Sequence, residues 1–167
     1  MEFESKIISR QIGDLLYDSG LTLGTAESCT GGRISEAIVS IPGASNYFKG
    51  GIISYSDEIK TNILGVSPNT LQAKTAVCEE VAQEMVKGAI KCLDVDFAIS
   101  ATGIAGPGGG TQEIPVGTIW LGYGNAEDVR TFRLTENFGR DINLAIATNK
   151  AMRLMLDFLN EKLSKEL

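Results

Sequence analysis

The chain of 167 residues contains no histidine. That absence removes the usual general base of serine and cysteine hydrolases and the commonest ligand of catalytic metals. Cysteine is scarce and odd in number: Cys29, Cys78 and Cys92 have no CxxC spacing, which points away from a disulfide framework and from structural zinc. No apolar run approaches the ~18 residues of a membrane span. Positive charge is also short, with 15 Lys and Arg against 21 Asp and Glu and a net charge of −6. A surface that wraps nucleic acid is therefore not expected, although a local basic pocket for one phosphate remains open. The start, Met1-Glu2-Phe3-Glu4-Ser5-Lys6, is acidic and then amphipathic, unlike a signal peptide.

Hydrophobic content of 43% with 22% charged residues suits a globular chain and argues against disorder. The expectation is one cytoplasmic, metal-independent domain over residues 1–167, with no membrane partner and no linker, repeat or low-complexity segment.

Residues 5–18 place Ile8, Ile12, Leu15 and Leu16 on one helical face, and Gly20 suits its end. Residues 22–26 read as a buried strand, and a second helix is predicted from Thr30 to about Ser40. Tyr47 to Tyr55 is β-rich, and Gly50-Gly51 predicts a bulge or a close backbone approach. Asp57 to Leu64 reads as a short helix closed by Gly65, and Ser67-Pro68 as another helix start. Residues 79–93 form an amphipathic helix and Val95 to Ala101 a strand. Val116 to Tyr123 and Val129 to Leu134 are predicted as a hairpin. A long helix over residues 141–163 closes the chain, with Ile142, Ala145, Met152, Met155, Leu159 and Leu163 expected inward. The order predicts an α/β fold: a mixed sheet with helices on both faces.

Three segments carry candidate chemistry. In Thr25-Ala26-Glu27-Ser28-Cys29-Thr30-Gly31-Gly32 a hydroxyl and a thiol sit at a strand-to-helix turn, where N–H groups at a helix start can face a developing negative charge. Without histidine, Ser28 needs another base, and a partly desolvated lysine such as Lys60 is the substitute. Ser28 also suits an N-cap. Cys29 is a rival nucleophile or buried filler, and Glu27 either orients Lys60 or accepts backbone hydrogen bonds. Tyr55 and Lys60 straddle a strand end and a helix start, so both can project into one cleft, or serve as an ordinary strand tyrosine and a solvated lysine.

The third segment runs from Thr102 to Thr111 and includes Gly103, Gly106, Gly108 and Gly109. It permits unusual backbone angles and close ligand approach. No Gly-Lys-Ser/Thr ends it, and Pro107 interrupts any dinucleotide fingerprint. Arg140, inside the start of the last helix, can clamp a phosphate or lie on the surface.

Ala26-Glu27-Ser28-Cys29-Thr30-Gly31-Gly32, Gly50-Gly51 through Tyr55 to Lys60, Leu64-Gly65-Val66, Thr102 through Gly109 and Pro115-Val116-Gly117-Thr118 resemble, in order, the CinA C-terminal domain family. Stand-alone members of that family are bacterial nicotinamide mononucleotide deamidases. The resemblance, over roughly residues 5–160, implies hydrolysis of the carboxamide to nicotinate mononucleotide and ammonia, with neither metal nor organic cofactor. It implies Ser28 as nucleophile, Lys60 as general base and Tyr55 as an aid to proton transfer or to the placing of Lys60. It implies oxyanion donors near Thr30, Gly31 and Gly32 or the Thr102 region. Ribose and phosphate would be held by Gly103, Gly106, Gly108, Gly109 and Arg140.

By the same analogy the chain would act as a homodimer, without the N-terminal domain of two-domain relatives. Leu144 stands where many members have a second arginine, and Cys78 where serine often caps the middle helix. The alternative is a catalytically inactive nucleotide- or partner-binding module, in keeping with the competence and DNA-damage functions linked to the family.

Overall fold

Strand β1 (Leu23–Glu27) is buried along its whole length, and the fold is arranged around it. The computed structural model describes residues 2–164. Beside β1 lie β2 (Phe48–Ile53) and β3 (Phe97–Gly103), both parallel to it. Strands β4 (Ile119–Gly124) and β5 (Val129–Leu134) continue the sheet antiparallel, in the order β2-β1-β3-β4-β5. The register shifts between Leu23 and Gly24, opposite Phe48 to Gly50, where the glycine pair predicts an irregularity.

Side-chain alternation sends each strand's residues to two different cores. On one face Leu23, Phe97, Ile99, Ile119 and Leu121 pack against helices α1 (Glu2–Ser19), α2 (Arg33–Val39) and α6 (Arg140–Leu163). Ile8, Ile12, Ile34, Ile38, Met152 and Met155 supply the helical side of that core. On the other face Ala26 and Ala98 meet Val81, Met85, Val86 and Ala89 of α5 (Glu79–Leu93), with Leu64 of α3 (Asp57–Leu64) beside them. Each fully buried aliphatic side chain here contributes roughly 1.5–3 kcal/mol of transfer free energy. A short α4 (Pro68–Lys74) begins at Ser67, whose hydroxyl accepts from Thr70 N–H, with Pro68 in the first turn.

The crossover from β1 to β2 runs through α2 on the first face, whereas α3, α4 and α5 carry the chain from β2 to β3 over the second. The chain thus leaves β1 towards one neighbour and reaches the other across the opposite face. The carboxyl ends of β1 and β3 form the switch point at which open α/β sheets open a crevice.

Some boundaries and one buried face differ from expectation. Helix α2 starts at Arg33 rather than Thr30, because Gly31 and Gly32 adopt positive φ (57° and 108°) and keep the turn non-helical. Thr102 and Gly103 belong to β3, and the next strand starts at Ile119. In α6, Ile142 faces solvent and Asn143 points inward. The Asn143 amide explains this: it donates to Ala105 O and Asn137 Oδ1 and accepts from Phe138 N–H, tying the glycine loop to the helix. Leu144 is fully buried. No helix of the described residues is long and apolar enough to cross a membrane.

Candidate active site

Ser28 follows β1 directly and is clamped between the neighbouring strands. Its N–H donates to Ala101 O at 2.9 Å, and Ser54 N–H donates to Glu27 O at 2.8 Å, so the ladder continues past the strand end on both sides. The turn then closes on itself through Gly31 N–H to Ser28 O and Arg33 N–H to Thr30 O.

Glu27 holds the turn against α2. Its buried carboxylate accepts from Ile34 N–H (2.8 Å), Ser35 N–H (3.0 Å) and Ser35 Oγ (2.7 Å). Gly32 occupies the N-cap position and has no side chain, so Glu27 satisfies the amides an N-cap side chain would reach. This leaves the Ser28 hydroxyl for another partner.

That partner is Lys60. Its Nζ lies 2.8 Å from Ser28 Oγ and donates to Ser54 O at 2.8 Å, with a longer contact of 3.5 Å to Tyr55 O. Lys60 is 1% exposed and ranks among the largest fully buried side chains. Helix α3 fixes it from both ends. Ser56 caps the start through Ile59 N–H, and Gly65 at φ 72° ends the helix so that Val66 N–H reaches back to Lys60 O. Burial pulls the Lys60 amine below the ordinary lysine range, opposed by the negative charge of Asp57 and by Cys29. Beside it, burial pushes the Cys29 thiol up to about 12, which keeps it protonated and a poor nucleophile.

A cleft of about 260 Å³ opens over this pair. Its walls include Ser28, Cys29, Tyr55, Lys60, Thr102, Gly103, Gly106, Gly108 and Arg140. Thr102 turns its hydroxyl to Ala76 O in the α4–α5 connection, and Arg140 donates to Gly106 O at 2.8 Å. Thr30, Gly31, Gly32 and Gly109 do not line the cleft. The first three follow the positive-φ turn away from it, and the Gly31 N–H is already used by Ser28 O. Among the described residues the N–H groups of Cys29 and Thr30 donate to no oxygen. Tyr55 is 63% exposed, and among the described residues its hydroxyl bonds to nothing, so only its carbonyl approaches Lys60. Thr111 closes a local turn with Ile114 outside the cleft.

Asp57, Ala76 and Val77 also line the cleft and escaped the sequence reading. Asp57 looked like ordinary first-turn acidity, and the α4–α5 connection carries no chemical signal. The spacing of Asp57 and Lys60, one helical turn apart, was the available clue.

Fold and site together define an α/β protein that presents a buried serine–lysine pair at the switch point of a mixed sheet. The model of the CinA C-terminal domain matches residues 5–159, and the chain belongs to that family. A CinA-like protein of Chloroherpeton thalassium is 44% identical over 157 residues, covering 92% of this chain and 37% of that protein. A CinA-like protein of Leptospira borgpetersenii is 50% identical over 121 residues, covering 72% of this chain and 29% of its own length. The chain spans about a third of the length of the curated relatives it matches. Among solved structures, the competence/damage inducible protein CihA from Agrobacterium tumefaciens superposes with a TM-score of 0.90 at 33% identity, covering 94% of this chain and 96% of that one.

Proposed function

We propose that the protein hydrolyses the carboxamide of nicotinamide mononucleotide, giving nicotinate mononucleotide and ammonia. The observation that carries this reading is the 2.8 Å contact between a fully buried lysine amine and the hydroxyl of Ser28, in a chain without histidine. As an ammonium, Lys60 donates to Ser28 Oγ; as the neutral amine that burial favours, it presents its lone pair to the same hydroxyl.

Neutral Lys60 takes the Ser28 proton while Oγ bonds to the carboxamide carbon. The carbonyl oxygen gains the negative charge and is stabilised by the N–H of Cys29, which lines the cleft next to Ser28 and whose N–H donates to no other oxygen. Collapse breaks the C–N bond, and the Lys60 proton leaves with the amine as ammonia. Water then attacks the ester with Lys60 again as base, releasing the carboxylate and restoring Ser28. Ala105, Gly106, Gly108 and Arg140 face the rest of the nucleotide, with the guanidinium supplying charge to the phosphate. The residues need neither metal nor organic cofactor for these steps, and the small cleft suits one mononucleotide.

Ammonia release from nicotinamide mononucleotide, with Ser28→Ala in parallel and a chelator present, tests the reading. Chelator-resistant release that is lost in Ser28→Ala is expected. Saturable binding without release would favour a binding module instead.

A further inference from the structure

Three charged side chains face the cleft: Asp57, Lys60 and Arg140. The proposed reaction uses the last two. Asp57 is the one carboxylate among the described residues lining the cleft, and it stands one helical turn before Lys60 on the same wall. Its charge works against the base, because a nearby anion favours the ammonium form of Lys60. Helix stability does not require it there. Glu58 brings the same charge to the same first turn without lining the cleft.

We propose that Asp57 is a specificity determinant that selects cationic rings, favouring an oxidised pyridinium carboxamide over its neutral dihydropyridine counterpart. This rests on the amidase reading above. A carboxamide whose carbon reaches Ser28 brings its ring beside Lys60 and Asp57. A pyridinium there becomes the counterion of Asp57 when Lys60 gives up its proton, and its positive charge helps to expel that proton. The cleft then reads as a charge sequence, with a carboxylate at the Ser28 and Lys60 wall and a guanidinium at the glycine-loop wall. A substrate with a cationic ring and an anionic substituent matches it. Hydrolysis replaces a neutral amide with a carboxylate close to Asp57, so the same charge that admits the substrate repels the product. In a partly solvated cleft one such charge pair is worth about tenfold in selectivity.

The test compares kcat/KM for ammonia release from nicotinamide mononucleotide and from its 1,4-dihydro form. The native chain, Asp57→Asn and Glu58→Gln are each measured on the plateau above the acidic limb of the pH profile. The native chain is expected to prefer the oxidised form, and Asp57→Asn to reduce that preference about tenfold, chiefly through KM. Glu58→Gln, which removes the neighbouring charge of the same helix turn, is expected to keep the native ratio. An unchanged ratio in Asp57→Asn, with both substrates still turned over, overturns this proposal and leaves the amidase reading standing. No release from either substrate by the native chain overturns the amidase reading and this proposal with it.

Discussion

Lys60 Nζ and Ser28 Oγ are 2.8 Å apart, although 32 residues separate them and the lysine is only 1% exposed. Burial of an amine is unfavourable unless its donors are engaged, and here Ser28, Ser54 O and the more distant Tyr55 O engage them. The position is thus specified by three contacts as well as by the helix that bears it.

Lys60→Met tests the base directly. Methionine fills a similar volume without a charge to desolvate, so the variant should fold and melt at or above the native temperature. Ammonia release should fall by about a thousandfold or more, the scale of a lost general base. Near-native turnover would exclude Lys60 from that role.

The pH profile should show an acidic limb. Activity needs the neutral amine, so kcat/KM is expected to rise with pH through an apparent pKa below the ordinary value of 10.5. Stability carries the matching sign. Between the depressed folded value and 10.5 the unfolded chain binds a proton that the folded chain does not, so Lys60 destabilises less as pH rises through that window. Urea titrations of the native chain and Lys60→Met bring out this slope, since burial, the main cause of the raised Cys29 thiol, is common to both. A stability difference between the two that is flat with pH would contradict it.

Glu27→Ala removes the acceptor of three hydrogen bonds and leaves the amides of Ile34 and Ser35 buried without it. A loss of about 1–3 kcal/mol is expected in denaturant unfolding. Turnover should fall as well, because the same carboxylate anchors the turn that holds Ser28. Loss of stability with unchanged kcat would show that the turn keeps its shape without it.

Cys29 lines the cleft, but its thiol is pushed up to about 12. Iodoacetamide at neutral pH should therefore modify exposed Cys92 first, with Cys29 labelled slowly, as peptide mass mapping would show. Cys29→Ser should retain most of the native turnover. Loss of activity on the scale of Ser28→Ala would make the thiol the nucleophile.

The elements legible in the sequence are those decided within a few residues. Ser67-Pro68 starts a helix, Gly65 ends one, and the 3.6-residue spacing of Val81, Met85, Val86 and Ala89 names a buried face. Boundaries were misread where a distant partner overrides local pattern. Asn143 displaces Ile142 from the inner face because Ala105 O, 38 residues earlier, needs a donor. Likewise the first-turn amides of α2 are satisfied by a carboxylate outside the helix.

For the site, the residue types alone limited the chemistry: no histidine, a serine at a strand-to-helix turn, and a lysine in the short helix after the next strand. Whether the two meet was decided by the tertiary structure. The parallel pairing of β1 with β2 aligns Glu27 with Ile53, which sets Ser28 and Ser54 side by side, and the packing of Leu64 against α5 turns Lys60 inward. Strand order and helix docking come from long-range burial, which local spacing does not encode. The same long-range packing placed Asp57 in the cleft, turned Gly31 and Gly32 away from it, and left the Tyr55 ring in solvent.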